Sequence, residues 1–378
     1  MKRFVGILIL LVAIGALFGW KYLQQKRLLP GGGETIGNIS GISEIEVKGV
    51  IGGEKAGFLA DPEVQKLLAE KYKLRVTATK SGSLAMMRTE LTGLDFLWPA
   101  SRSAAETFRG KAKRVEDIFN SPIVIYSWEP VAQALSQPVQ ISSGPAADNR
   151  PLVEKSGNSY YIVELARLIK AVENKVEWAK LGLPQLNGRI NVISTNPSES
   201  NSGYAYAGLL ANTLNGDIPD ISQIDPLIPR VRLIFTRMGR VETSSGTLFK
   251  NYLTQGLGAF PMIIGYENQL AEFAAENPAV LNQVSKLCRI LYPKPTTWSS
   301  HPLVVLSEGG KRLVDALLDP AVQRLAWEQH GFRVGLMSSQ STLSPVLKEI
   351  GVAPSIESVQ QMPSNEVLEK VLEGLVAR

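Results

Sequence analysis

Nucleophilic and metal chemistry have few residues to work with in this sequence. One cysteine, Cys288, and two histidines, His301 and His330, serve all 378 residues. A single cysteine excludes an internal disulfide and any cysteine-rich metal site. It sits in the pattern Val284, Leu287, Cys288, Leu291, which marks it as a structural thiol on a buried face. His301 precedes a proline at a strand start, and His330 ends a helix beside Gly331, where a histidine caps carbonyls well. A histidine-based triad would need one of these two to meet a serine and an acid, and no nucleophile-elbow pattern is present. Residues 52–57 lack the Gly-Lys-Ser/Thr of a phosphate-binding loop. No metal-ligand spacing occurs, so the chain reads as a protein without enzymatic chemistry, resident metal or cofactor. Basic runs are also missing: the net charge of +5 comes from 40 Lys and Arg against 35 Asp and Glu, and no run exceeds two residues. Nucleic acid binding needs a clustered basic face and is therefore not expected.

What is present is ordinary globular material. Hydrophobic residues make up 44% and charged residues 20%, and the length exceeds one ordinary core, which suggests two domains plus extras. Lys2-Arg3 precedes an uncharged stretch from Phe4 to Trp20. As a helix it would span roughly 26 Å, slightly less than a hydrocarbon core of ~30 Å. Tyr22 adds an interfacial anchor, and Lys21, Lys26 and Arg27 end the segment. The preferred reading is an uncleaved signal anchor over residues 1–27 that holds the globular part on the extracytoplasmic side; a cleaved signal peptide is the alternative. Residues 28–43, with Pro30-Gly31-Gly32-Gly33, read as a flexible linker.

Beyond residue 44 strands alternate with helices. Residues 45–51 alternate as a strand should, and Asp61-Pro62 starts a helix to about Tyr72. Strands are expected at 74–78, 95–98, 190–193, 230–235, 260–265, 289–292 and 301–306, and residues 121–128 read as a long apolar run that leaves the first unit. Helices are expected at 161–180, on the stripe Leu165, Leu168, Ile169, Val172, and at 204–215, 248–255, 311–318, 320–330 and 355–378. This order implies mainly parallel sheets covered by helices. Three turns share one grammar: Lys80-Ser81-Gly82-Ser83, Ser200-Asn201-Ser202-Gly203-Tyr204 and Thr243-Ser244-Ser245-Gly246. Each precedes a helical pattern, whose free N–H groups and positive dipole end attract anions and polar oxygens. Ligands bind beyond the carboxyl ends of strands in such sheets, so these turns, with Gly53, Glu54 and Ser101, are candidate contacts.

This order of elements resembles the type 2 periplasmic binding fold of bacterial extracellular solute-binding proteins over roughly residues 44–350. The resemblance implies two lobes, 44–125 with 299–378 and 126–298, hinged near residues 123–128 and 292–301. Within the class the Ser-Gly turns are similar to those of the phosphate, sulfate and molybdate binders. That implies first-lobe contacts at Ser81 and Ser83, second-lobe contacts at Ser202 and Gly203, and a tyrosine contact at Tyr266. Glu54 and Glu267 fall near the same cleft and are awkward for a pure anion site; they hold a ligand amine or a cation, or lie at its rim. The implied function is delivery of a small polar, anionic ligand to an ABC-type permease. The alternative is a receptor, sensor ectodomain or structural partner in a cell-envelope complex.

Overall fold

The alternation in Ile45-Glu46-Val47-Lys48 gives a strand, and its buried and exposed positions follow that alternation at the start. The computed structural model describes residues 44–141, 149–156, 160–335 and 343–376. The expected anchor and linker lie outside them, and among the described residues no helix is long and apolar enough to cross a membrane.

Two sheets organise the chain. The first has the order β2-β1-β3-β11-β4, with β1 Ile45–Ile51, β2 Leu74–Lys80, β3 Phe96–Trp98, β4 Arg114–Asp117 and β11 Pro302–Val305. Strands β1, β2 and β3 run parallel, and β11 is antiparallel to β3 and β4. The helix Pro62–Tyr72 covers it; Asp61 Oδ1 accepts from the N–H groups of Glu63 and Val64, and Pro62 fixes the first turn. Its core centres on Phe58, Trp98, Phe119 and Phe332, with Phe58 and Phe119 edge to face at 5.1 Å.

The second sheet has the order β10-β5-β9-β7-β6, with β8 also on β5. These are β5 Ser121–Trp128, β6 Val153–Ser156, β7 Tyr160–Glu164, β8 Met262–Tyr266, β9 Cys288–Lys294 and β10 Trp298–Ser299. Every residue of β5 is buried, as expected for an apolar strand covered on both faces. The expectation of mainly parallel sheets fails here: only β7 and β9 are parallel, and β5 runs antiparallel to β8, β9 and β10. Cys288 is buried in this core, which pushes its thiol up to about 12, so it stays protonated.

Several local readings change. The stretch 161–180 splits: Tyr160–Glu164 is a strand and only Leu165–Glu173 is a helix. Its aromatic and β-branched start pairs with β6 and β9, and that pairing overrides the helical stripe. Residues 230–235, which alternate like a strand, lie in the helix Ile228–Thr236, where Val231 and Ile234 are buried three apart. Residues 190–193 form no strand; Ile193 alone bridges to Ile263. Among the described residues of the tail, only Asn365–Val376 is helical.

The chain passes between the sheets three times. It leaves β4 for β5 through Ile118 to Asn120, and it returns from β10 to β11 through His301. It then runs from Val334 in the first core to Leu347 in the second. The expected hinge crossover at 123–128 therefore lies inside the second sheet, as part of β5, and the crossing is a few residues earlier. His301 carries φ +40°, a left-handed conformation that costs a non-glycine residue about 1–3 kcal/mol. Residues 345–376, grouped from sequence with the first lobe, pack instead on the second core through Leu347, Ile350, Val367 and Val371. Leu368 reaches across the seam to Leu84 and Ala104 of the first lobe beside Tyr204 of the second.

Candidate functional site: a polar cleft at the strand ends

Strands β1 and β2 end together, with Ile51 opposite Lys80, so both following turns leave the sheet side by side. The N–H of Ser81 bonds the carbonyl of Ile51 at 2.9 Å and fixes that edge. Facing it across the gap is the start of the helix Ser245–Ala259, and the helix Asn268–Glu276 forms a second wall. A cleft of about 760 Å³ opens between these elements. Gly53, Glu54, Gly57, Lys80, Ser81 and Gly82 line it from the first lobe. Glu199, Thr243, Ser244, Gly246, Thr247, Lys250, Glu272 and Glu276 line it from the second, with Phe249 and Phe273.

The lobes touch closely at its ends. A Cβ on Gly82 would lie 2.2 Å from the Glu199 carbonyl oxygen, and one on Gly57 would overlap the Glu272 carboxylate. At Gly82 the obstacle is backbone, so only glycine allows that approach; at Gly57 it is the end of a side chain. Asn268 Nδ2 also donates to the Glu54 carbonyl across the seam at 3.2 Å.

Of the residues expected at a site, Gly53, Glu54, Ser81 and Gly82 lie in this cleft. Ser245 is buried beside it, its carbonyl accepting from Gln269 Nε2 at 3.1 Å. The other eight are not among the lining residues. Ser83 Oγ accepts from the Ala100 N–H at 3.0 Å. Ser101 caps the helix Arg102–Glu106 and donates to Asn201 Oδ1, while Asn201 Nδ2 donates to Tyr266 Oη at 3.1 Å and Ser299 Oγ at 3.3 Å. This buried network stitches the lobes together behind the cleft. Ser202 Oγ bonds Thr195 Oγ1 at 2.7 Å, and a Cβ on Gly203 would meet the Thr195 carbonyl at 2.3 Å. The helix start at Ser200 is thus packed against its own lobe. Tyr204 Oη donates to Asn365. Glu267 is fully buried and bound by Arg333 and Tyr292.

Sequence reasoning passed over Glu199, Lys250, Glu272 and Glu276. The last two sit one helical turn apart on Asn268–Glu276, a spacing that puts them on one face; nothing local says that this face meets a cleft.

Two charged clusters flank the cleft. At its floor Glu54 Oε1 accepts from the fully buried Lys55 ammonium, which also lies 3.3 Å from His301 Nδ1. Burial alone would raise the Glu54 pKa, but Lys55 and then His301 outweigh it and bring it down to about 2. Burial, reinforced by the Lys55 charge, brings His301 down to about 4, so its ring is neutral. With Lys55 donating to Nδ1, the ring proton belongs on Nε2, which is buried with no partner among the described residues.

The second cluster is an imidazole between carboxylates from both lobes. His330 Nε2 lies 3.1 Å from Asp61 Oδ2 and Nδ1 lies 3.3 Å from Glu272 Oε1, with Glu276 nearby. Burial would lower the His330 pKa, but Glu272 and Asp61 turn the shift upward from 6.5. Burial also raises Glu272, against the pull of His330. Both shifts mean that the folded form holds more protons than the unfolded one. The stabilisation is therefore present below the ordinary histidine value and is lost as pH rises through the raised one. Denaturation midpoints measured from about pH 6 to about pH 9 should fall with pH, and His330→Gln should flatten that slope. An unchanged slope in the variant would remove His330 from the tie.

The lining offers hydroxyls, turn amides, carboxylates and ammonium groups, which suit reversible capture of a polar solute. No group of three or more metal-ligating residues occurs among the described residues.

No protein-family model matches the chain, and no curated protein matches it. Solved structures do. A periplasmic thiamin binding protein matches with a TM-score of 0.57 at 11% identity, covering 91% of this chain and 100% of that one. The apo ferric ion-binding protein A of Pasteurella haemolytica matches at 0.54 and 12% identity, covering 87% and 96%. The substrate binding protein of an ABC transporter from Agrobacterium tumefaciens matches at 0.50 and 11% identity, covering 87% and 94%. At such identities the likeness speaks to the fold. The chain has the two-lobed type 2 periplasmic binding fold, with its polar cleft between the lobes at the strand ends.

Proposed function

We propose that this chain is an extracytoplasmic solute-binding protein that closes its lobes on a small polar ligand and delivers it to an ABC-type permease. The observation that carries this reading is the cleft itself, with turns from both lobes at the strand ends and backbones near contact at Gly82 and Glu199. In this reading the first lobe comprises residues 44–120 with 300–335, and the second comprises 121–299 with 345–376. The apolar stretch from Phe4 to Trp20 would tether it to the membrane.

A thermal-shift screen of the full chain in detergent against polar solutes tests the reading. Ligand at 100 times its Kd should add about 2.7 kcal/mol of stability. If no oxyanion, amine, amino acid or sugar shifts the transition, the solute-binding reading fails and a structural role in an envelope complex takes its place.

A further inference from the structure

We propose that the solute carries a cationic nitrogen that docks on the Glu54 carboxylate, and that a bare oxyanion is not the ligand. The inference rests on the solute-binding reading and specifies the chemistry of its site. Glu54 lines the cleft, yet its residue is only 7% exposed, so its carboxylate is built in. Its contacts with Lys55 and with His301 Nδ1, at 3.6 Å for the latter, both fall on Oε1. Oε2 receives no hydrogen bond among the described residues. It is not one of the fully buried atoms left without a partner, so it stays open to the cleft, where a charged donor on the solute can bond it.

Lys55 does not serve an anion in the cleft. Its side chain is fully buried behind Glu54, with Nζ 5.7 Å from the Trp98 ring centroid. An oxyanion at the floor would meet Glu54, with the exposed Glu199 in the facing wall, and charges of one sign repel. A cation there meets the opposite field, and Phe249 and Phe273 add π faces to the lining. Lys80 and Ser81, at the exposed end of the cleft, suit an acceptor at the far end of the same solute.

Calorimetric titration of the full chain in detergent with arginine, putrescine and γ-aminobutyrate, set against phosphate, sulfate and molybdate, decides it. At least one amine should bind saturably and the oxyanions should not. Glu54→Gln should weaken that amine by about tenfold or more. Glu199→Gln, at the exposed rim, should weaken it by about two- to fivefold with its unliganded melting temperature unchanged, which keeps the test open if Glu54→Gln folds poorly. Saturable oxyanion binding without amine binding overturns the inference while leaving solute binding intact. Amine binding that neither substitution alters overturns it as well. Binding of neither class, nor of any sugar, overturns the solute-binding reading itself.

Discussion

Glu267→Leu is expected to cost about 3–5 kcal/mol of folding stability, the scale for stranding one member of a buried ion pair. Glu267 is fully buried, with Oε2 accepting from Arg333 Nε at 2.6 Å and Oε1 from Arg333 Nη2 at 2.8 Å and Tyr292 Oη at 2.5 Å. The same tyrosine oxygen accepts from the Ala353 N–H at 2.9 Å. Arg333 pairs with Asn120 at the crossing between sheets, so one carboxylate joins the end of β8, a crossing segment and the segment at Ala353. Removing it leaves the guanidinium buried without a counter-charge. Removing both partners is different, because no uncompensated charge remains. Glu267→Leu with Arg333→Met should therefore recover most of the loss. Denaturant unfolding of the single and double variants checks this, and a single-variant loss below about 1 kcal/mol would rule out a structural role for the pair.

Gly82→Val should hold the lobes apart without unfolding either of them. Gly82 has φ −65° and ψ 146°, a conformation open to any residue, so the side chain brings no local strain. The obstacle lies across the seam: a Cβ would stand 2.2 Å from the Glu199 carbonyl oxygen, which is backbone and cannot swing away. Small-angle scattering should show a larger radius of gyration than the parent, with circular dichroism unchanged. Ligand affinity should fall by about tenfold or more, because binding must then select a lobe arrangement that the valine disfavours. Gly203→Ala is the internal control. Its Cβ would meet the Thr195 carbonyl within the second lobe, so it should lower stability without spreading the lobes. Unchanged scattering for Gly82→Val would show that the Gly82–Glu199 approach does not govern closure.

How much of this could be read from the chain depends on the range of the interaction. The strand at 45–51, the Asp61-Pro62 helix start and the buried run 121–128 rest on neighbours in sequence, and each appears where expected. The turn after β2 enters the cleft because β1 and β2 end in register. The turn at Ser200 has the same composition and does something else: its Ser202 hydroxyl is taken up by Thr195, and its helix start is buried. Local chemistry cannot distinguish a helix end facing a cleft from one packed on its own lobe. Arg230 to Phe235 alternates like a strand but sits among helices, where burying Val231 and Ile234 decides the outcome. The acidic wall was hidden for a related reason. Glu272 and Glu276 read as the polar face of an ordinary helix until the first lobe is brought against it.

Three crossings between the sheets is an odd number, and it puts the two ends of the described chain on different lobes. Residue 44 leads directly into the first sheet, whereas the helix Asn365–Val376 rests mainly on the second core. A two-crossing chain would begin and end on the same lobe. Here the ends act as opposite handles of a clamp, so a pull between them loads the seam that Leu368 spans against Leu84 and Ala104. In the solute-binding reading, a grip on the chain ahead of residue 44 would hold the first lobe still, and the second lobe would be the jaw that moves.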